Sequence, residues 1–447
     1  MELKNKYIHF IGIGGISMSA LAHFAIANSA TISGSDIKEN EQTKALRQIG
    51  CEIYIGQKRE NISEKINMVV YSASIKKDNE EYLEAEARNL YMMTRAEFLA
   101  EIAKQYKNVI AVAGSHGKTT TTAMLAKILI DSGFNPTVHI GGDWDEIGGN
   151  FRLGGNEYFV TEACEYDKSF LELRPNYLVI TNIDWDHVDT YPTPELYRHA
   201  FHQLYNRCKV DGCIITDADI NIKNAKCNIK NVKINEKNIK NVKKYKKFGY
   251  KYDFIFGGVE LKNIELCVPG KFNVSNSSKA VALALILGVP KESIIKSLNR
   301  FRGVGRRFQK VGVYNGADII VDYAHHPTEV RANIEVLKEN LAGRLFCVFQ
   351  PHTYSRLGIF WQDFCVVFDK VDDLVVYPVY SAREYPIKNV DSEKLSQCIM
   401  QRGVSCQYLD SFAKVKSYLG SVVNPGDVIL ILGAGNIVDL KDVLLAD

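Results

Sequence analysis

Short apolar runs in this chain are repeatedly followed by a turn rich in glycine or acid, then by a longer stretch of helical periodicity. The first run, residues 7–13, is long enough for a strand buried on both faces, and its turn holds Gly12, Gly14 and Gly15. A helical stretch from about 17 to 28 comes next, then a second strand at 31–33 that ends at Asp36. Near residue 108 the pattern restarts, predicting a strand at 109–113, a glycine turn at 114–118 and a helix at 119–131 stopped by Gly133. Later apolar runs predict strands at 158–161, 177–181 and 213–216. A third block comprises a strand at 317–322, a helix at 328–341 and strands at 344–349, 374–379 and 428–432. Strands alternating with helices require parallel sheets covered on both faces, so the fold class is α/β. Three blocks in 447 residues predict three domains, 1–105, 106–301 and 302–447.

Hydrophobic residues make up 46% of the chain and charged residues 24%, as in ordinary globular proteins. A net charge of +3 gives no reason to expect nucleic acid or a membrane surface as a partner. Residues 221–251 are dense in lysine and asparagine. No aromatic platform accompanies them, so the stretch reads as a solvated surface insertion rather than a polyanion site. The ten cysteines include no C-x-x-C pair, so neither a zinc site nor a dithiol redox centre is signalled. No signal-peptide architecture precedes the first strand, and no apolar run is long enough to span a membrane. With the cysteines read as free thiols, these features predict a cytoplasmic protein.

The strongest local motif is AVAGSHGKTTTT at residues 111–122. A glycine turn between strand and helix exposes backbone N–H groups that cradle phosphate oxygens. Lys118 would reach the terminal phosphates, and the Thr119 hydroxyl would meet Mg²⁺. The loop is a shortened form of the general pattern, with Val112 where the first glycine belongs. The turn at Gly12 to Gly15 is a weaker signal, because Ser17 replaces the third glycine of G-x-G-x-x-G. A dehydrogenase reading of that turn is opposed by the phosphate loop. Two nucleotide sites in one chain point to ATP at one and a nucleotide-bearing substrate at the other.

Downstream, TEACEYDKSF sets Glu162, Glu165 and Asp167 at and beyond a strand end, and TNIDWDHVDTY sets Asp184, Asp186, His187 and Asp189 beyond another. Ligands of parallel sheets gather outside the carboxyl ends of strands, where carboxylates facing a triphosphate would bind Mg²⁺. Glu162 and His187 are the candidates; Asp167, Asp184 and Asp189 read as caps or solvated acids. In the third block, DYAHHPTEV places Asp322, His325 and His326 before a helix. No third ligand stands at metal-site spacing, so a substrate-facing role is expected. Arg306 and Arg307 suit phosphate or carboxylate, whereas Arg302 reads as solvated.

In order, HFIGIGGISMSALA, SGSD, AVAGSHGKTTTT, EACEYDKSFL, TNIDWDHVDTY, FNVSNSSKA, GVGRRF, VDYAHHPTEV, FQPHTYSR and GAGNI resemble the Mur ligases over nearly the whole chain. The resemblance implies a Rossmann-like N-terminal domain for the UDP-sugar, a central P-loop ATPase domain and a Rossmann-like C-terminal ligase domain. It implies ATP-dependent ligation of an amino acid to a UDP-linked sugar carboxylate through an acyl phosphate, in peptidoglycan biosynthesis. The likeness is greatest to members that use UDP-N-acetylmuramate and L-alanine, with ATP and Mg²⁺ as cofactors, acting as monomer or homodimer. By resemblance, Gly12, Gly14, Gly15, Asp36 and His325 serve the UDP-sugar. Gly114, Ser115, His116, Gly117, Lys118, Thr119, Thr120, Asn273, Asn276, Arg307 and Asp322 serve ATP. Thr119, Glu162 and His187 look like metal ligands. Lys118, His326, His352 and Arg356 are the catalytic candidates, with His352 or His326 as the base near the amine.

Three departures stand out. Phe272 occupies the place of a histidine in the adenine stretch, and LGIFWQDF after Arg356 lacks the usual charged residues. Phe201 stands where Mur ligases adding later residues carry a carbamate-modified lysine, so no carbamate is expected. The alternatives are another Mur-type ligase, such as the tripeptide-recycling one, or a non-catalytic nucleotide-binding regulator.

Overall fold

The computed structural model describes residues 1–218 and 229–446. They form two compact units, Met1–Asp184, Arg198–Asn238 and Asn276–Leu298 in the first, and Trp185–Tyr197, Ile239–Ser275 and Asn299–Asp447 in the second.

The first unit carries two sheets. One has five parallel strands in the order Glu52–Ile55, Thr31–Asp36, Tyr7–Ile11, Met68–Tyr71 and Tyr91–Thr94. Its middle strand reads YIHFI and is buried at four of five positions, as a strand covered on both faces must be. The other sheet has seven strands, in the order Lys230–Lys233, Cys213–Thr216, Tyr177–Ile180, Asn108–Ala113, Tyr158–Glu162, Thr137–Trp144 and Gly149–Arg152. Helix Ile16–Ala27 of the first sheet's opening unit packs on the last two of these strands, and Phe24 meets Phe151 edge to face at 6.0 Å.

The second unit holds a six-stranded sheet, in the order Gln309–Tyr314, Ala317–Asp322, Val428–Leu432, Leu345–Phe349, Asp373–Val376 and Cys406–Tyr408. The inner strands LFCVF and VILIL are buried throughout and separate two apolar layers. Helix Pro327–Lys338 begins at His326, whose Nδ1 accepts the Thr328 N–H at 3.3 Å, with Pro327 at its first position and Glu329 completing a capping box.

Every strand and helix expected from the apolar pattern is present within about three residues of its expected bounds. Two expectations are corrected and a third is given its structure. The large sheets are not wholly parallel, since Gly149–Arg152 and Gln309–Tyr314 pair antiparallel at edges. The lysine-rich stretch, read as a solvated surface insertion, carries the strands Lys230–Lys233 and Ile239–Tyr245 and the start of Gly249–Phe256; residues 221–228 of it lie outside the described residues. Ile239–Tyr245, Gly249–Phe256 and Val259–Leu266 form an antiparallel meander in which Tyr252 and Phe254 are buried against Leu261 and Ile264. Gly257 and Gly258, at φ 58° and 80°, make its two-residue turn. Exposed Lys240, Lys243 and Lys244 lie on the edge strand, where charge discourages pairing with another chain. Finally, Cys365 and Cys398 form a disulfide, against the expectation of free thiols, because packed helices bring their Cα atoms within 5.9 Å. Seven other described cysteines are free. Among the described residues no helix is long and apolar enough to cross a membrane.

Candidate active site

Strand Asn108–Ala113 lies between two parallel neighbours, with Val112 opposite Glu162 and Ala113 opposite Ile180. Three carboxyl ends therefore meet where residues 114–117 cross the sheet. Gly114 sits at φ 130°, and a Cβ there would lie 2.0 Å from Thr181 Oγ1. Gly117, at φ 80°, would clash with Asn276, which closes the loop's other side. Only glycine fits either place.

Side chains from the Tyr177–Ile180 strand end brace the loop. Ser115 Oγ accepts the Asp184 N–H at 2.8 Å and donates to the Asp184 carbonyl at 2.6 Å. Asn182 takes the His116 N–H at 3.0 Å and donates to the His116 carbonyl at 2.9 Å, while His116 Nε2 lies 3.0 Å from Asp184. Helix Lys118–Asp131 starts directly from this loop, with Thr119 and Thr120 buried in its first turn. Such a helix start, entered through glycine turns, is an anion cradle.

Lys118 Nζ donates to the Gly114 carbonyl at 2.5 Å and to Ser115 O at 3.1 Å, and pairs with Glu165 at 2.9 Å. Burial works against its charge, yet Glu165 holds the ammonium above the ordinary lysine range. The sequence alone assigns Glu165 no role; its pairing with Lys118 comes from the fold. Thr119 Oγ1 donates to Glu162 Oε2 at 3.2 Å, and Glu162 Oε1 accepts the Gly141 N–H at 2.6 Å. A hydroxyl and a carboxylate so placed are the hard oxygens a divalent cation such as Mg²⁺ takes. Phe201, the position of the absent lysine, is fully buried against Phe170.

At the first glycine turn, Ser35 O accepts the Gly12 and Ile13 N–H groups at 2.8 and 2.9 Å, and Asp36 Oδ2 accepts the Gly14 N–H at 2.9 Å. Asp36 Oδ1 takes the Ile37 N–H at 2.8 Å, so this carboxylate shapes the turn with both oxygens. Gly15 is the cap of helix Ile16–Ala27.

The remaining candidates belong to the second unit. Arg356 Nε donates to Asp186 at 2.8 Å, with both side chains at most 6% exposed. Burial alone would raise the Asp186 carboxyl, but Arg356 holds it well below the usual carboxylate range. Arg356 also donates to the His352 carbonyl and lies 3.1 Å from His352 Nδ1, so that lone pair accepts a hydrogen bond. His352 stacks on Tyr380, and His325 lies 5.6 Å from His352 and near Asp186. His187, at φ 49°, bonds its N–H to the Asp186 carboxylate. Asp322 accepts the Phe308 and Ala324 N–H groups at 2.7 Å, and both Arg306 and Arg307 lie over the Tyr323 ring. Asn273 donates to Pro269 O at 2.7 Å. Phe272 is 43% exposed at the start of helix Phe272–Ile286.

Burial keeps three histidines neutral: His139 is pushed down to about 3, His325 to about 4 and His352 to about 2. Each titrates near 6.5 when unfolded, so between those values the unfolded chain binds more protons than the folded one. Stability is full above about pH 6.5 and falls as pH drops, each histidine contributing about 1.4 kcal/mol per pH unit. Melting temperatures are expected to decline steadily from pH 7 to pH 4.5; a flat profile would contradict the neutral state of these rings.

Family models match most of the chain in three consecutive segments. The Mur ligase family catalytic domain matches residues 7–107, the Mur ligase middle domain 112–284, and the Mur ligase glutamate ligase domain 306–435. The chain is 40% identical to the UDP-N-acetylmuramate–L-alanine ligase of Clostridium kluyveri, over 99% of this chain and 98% of that one. It is 41% identical to the ligase of the same name from Clostridium perfringens, with the same coverage. Among solved structures, the UDP-N-acetylmuramate-alanine ligase MurC of Thermotoga maritima superposes with a TM-score of 0.83 at 28% identity, covering 98% of each chain. A murein peptide ligase of Psychrobacter arcticus shares the fold, with a TM-score of 0.75 at 24% identity over 99% of this chain and 98% of that one. With three family domains in order along one chain, and full-length likeness to its members, the protein belongs to the Mur ligase family.

Proposed function

We propose that the protein joins L-alanine to the lactyl carboxylate of UDP-N-acetylmuramate in peptidoglycan synthesis, converting ATP to ADP and phosphate. The observation that carries this reading is the identity of 40% over 99% of the chain with ligases named for that reaction. The braced glycine loop with Lys118 and Thr119 supports it, since a scaffold without chemistry has no need of a buried ammonium there.

A carboxylate is a poor electrophile. Its oxygen first attacks the γ-phosphorus of ATP, the bond to ADP breaks, and an acyl phosphate results. The alanine amine then attacks the acyl carbon, phosphate leaves, and the amine's extra proton passes to a base. The loop amides and Lys118 neutralise charge that develops on the transferred group. Thr119 and Glu162 would hold one Mg²⁺ and His187 a second, and such ions when bound supply further neutralisation. Asn273, Asn276, Arg307 and Asp322 are assigned to ATP, and Gly12, Gly14, Gly15, Asp36 and His325 to the sugar nucleotide. Asp36 acts there through the turn it shapes. His352 and His326 are the candidate bases. As held here, the His352 lone pair is bonded to Arg356 and His326 caps a helix, so either ring must change partners to accept a proton. We assign domain boundaries near 105 and 301, and a cytoplasmic location, where ATP is supplied.

Phosphate release measured with ATP, UDP-N-acetylmuramate and a panel of L-alanine, glycine, L-serine and a cell-wall tripeptide tests this directly. L-Alanine is expected to give the highest kcat/KM. Preference for the tripeptide would make the protein a recycling ligase, and release independent of any amine would remove the ligase assignment.

A further inference from the structure

One part-buried hydrogen-bonded chain in the first unit has no part in the reaction as derived above. Arg95, the first residue of helix Arg95–Ala103, donates from Nη1 to Ser17 Oγ at 3.2 Å. Ser17 Oγ lies 2.9 Å from His139 Nε2, and His139 Nδ1 lies 2.9 Å from Thr161 Oγ1. Thr161 Oγ1 in turn donates to the Glu162 carbonyl at 3.0 Å. The order of donors is determinate. Arginine can only donate, so Ser17 accepts from it, and a neutral His139 that donates from Nδ1 leaves Nε2 to accept the Ser17 hydrogen. With the Thr161 hydrogen given to Glu162, His139 must carry its proton on Nδ1. A neutral ring in this tautomer satisfies every group, and burial with the nearby Arg95 charge keeps His139 neutral.

The chain joins two places of interest. Ser17 stands two residues past the glycine turn, in the first turn of helix Ile16–Ala27. His139 lies on strand Thr137–Trp144, the strand whose Gly141 N–H holds the Glu162 carboxylate. Asn150 adds a second tie, donating to Ile16 O and to Ser19. Arg95 lines a cavity of about 320 Å³ together with Thr94, Glu97, Lys168, Glu172 and Arg207. Among the described residues its one hydrogen bond is to Ser17, so the guanidinium keeps donors for an anionic group entering that cavity.

We infer that His139 is a positioning residue for the sugar-nucleotide side of the reaction, fixing Ser17 and through it the Arg95 guanidinium at the cavity. The inference rests on the sugar nucleotide binding at the first glycine turn. It assigns no contact with substrate to His139 itself; the residue acts through Ser17.

The test compares His139→Asn, which can keep only the Thr161 bond, with His139→Gln, whose amide reaches the Nε2 position. Ser17→Ala and the Ser17→Ala/His139→Asn double variant complete the set. KM for UDP-N-acetylmuramate and for ATP, kcat, and calorimetric affinity for UDP-N-acetylmuramate are measured on the full chain. His139→Asn and Ser17→Ala are each expected to raise the UDP-N-acetylmuramate KM about tenfold, with the ATP KM within about twofold. His139→Gln should recover most of that loss, and the double variant should be no worse than either single one. Equal loss toward both substrates, no rescue by Gln, or additive single effects would overturn the inference. If His139→Asn does not fold, the small Ser17→Ala change still decides, because an unaltered sugar-nucleotide KM there overturns it. A wild-type protein that neither binds nor turns over UDP-N-acetylmuramate would instead remove the proposed function beneath it.

Discussion

Lys118→Met is expected to lower ligation by at least about 10³-fold while UDP-N-acetylmuramate affinity stays within about twofold of wild type. The ammonium is the one full positive charge held inside the loop, between the Gly114 and Ser115 carbonyls. The sugar nucleotide is assigned to a different sheet. Glu165 is fully buried and loses the Lys118 ion pair in this variant, so stability should also drop, by about 3 kcal/mol. Lys118→Met/Glu165→Gln separates the two effects: it should recover stability in urea denaturation and remain inactive. Substantial turnover in either variant would show that the loop does not serve the transferred phosphate.

Removing the partner of Asp186 should have the largest effect on stability. Asp186 and Arg356 are 4% and 6% exposed, and breaking such a pair from one side leaves a buried charge without its counter-ion. Arg356→Ala is expected to destabilise the second unit by about 3–5 kcal/mol, read as a lower urea midpoint. Asp186→Asn/Arg356→Met should regain much of that loss, since replacing both charges removes the desolvation cost together with the attraction. An unchanged midpoint in Arg356→Ala would mean that solvent reaches Asp186 freely. The same substitution should abolish ligation, because Arg356 also orients His352.

Most of the three sheets was legible in the sequence because their central strands are unbroken apolar runs, buried on both faces, such as VILIL and LFCVF. Most strands that escaped notice lack that pattern. Thr137–Trp144 carries Gly141 and Gly142, and Glu52–Ile55 and Tyr91–Thr94 are short and only partly buried. Residues of low strand propensity hid Ile239–Tyr245, although the tyrosines and phenylalanines of Gly249–Phe256 alternate with polar residues as a half-buried strand should. The Cys365–Cys398 disulfide had no signal, since a spacing of 33 residues says nothing about distance in space.

The sequence by itself determined the three α/β blocks, the glycine loop before Lys118, and the family to which ten ordered motifs point. These are local properties: a turn that needs glycine, a helix start and a strand end are written in adjacent residues. Tertiary structure alone decided which charges neutralise one another. Lys118 meets Glu165 across 47 positions, Arg356 meets Asp186 across 170, and His139 reaches Ser17 across 122. A buried charge or polar atom must find a partner wherever packing brings one, and that choice depends on which strand ends and helices lie side by side, not on spacing along the chain.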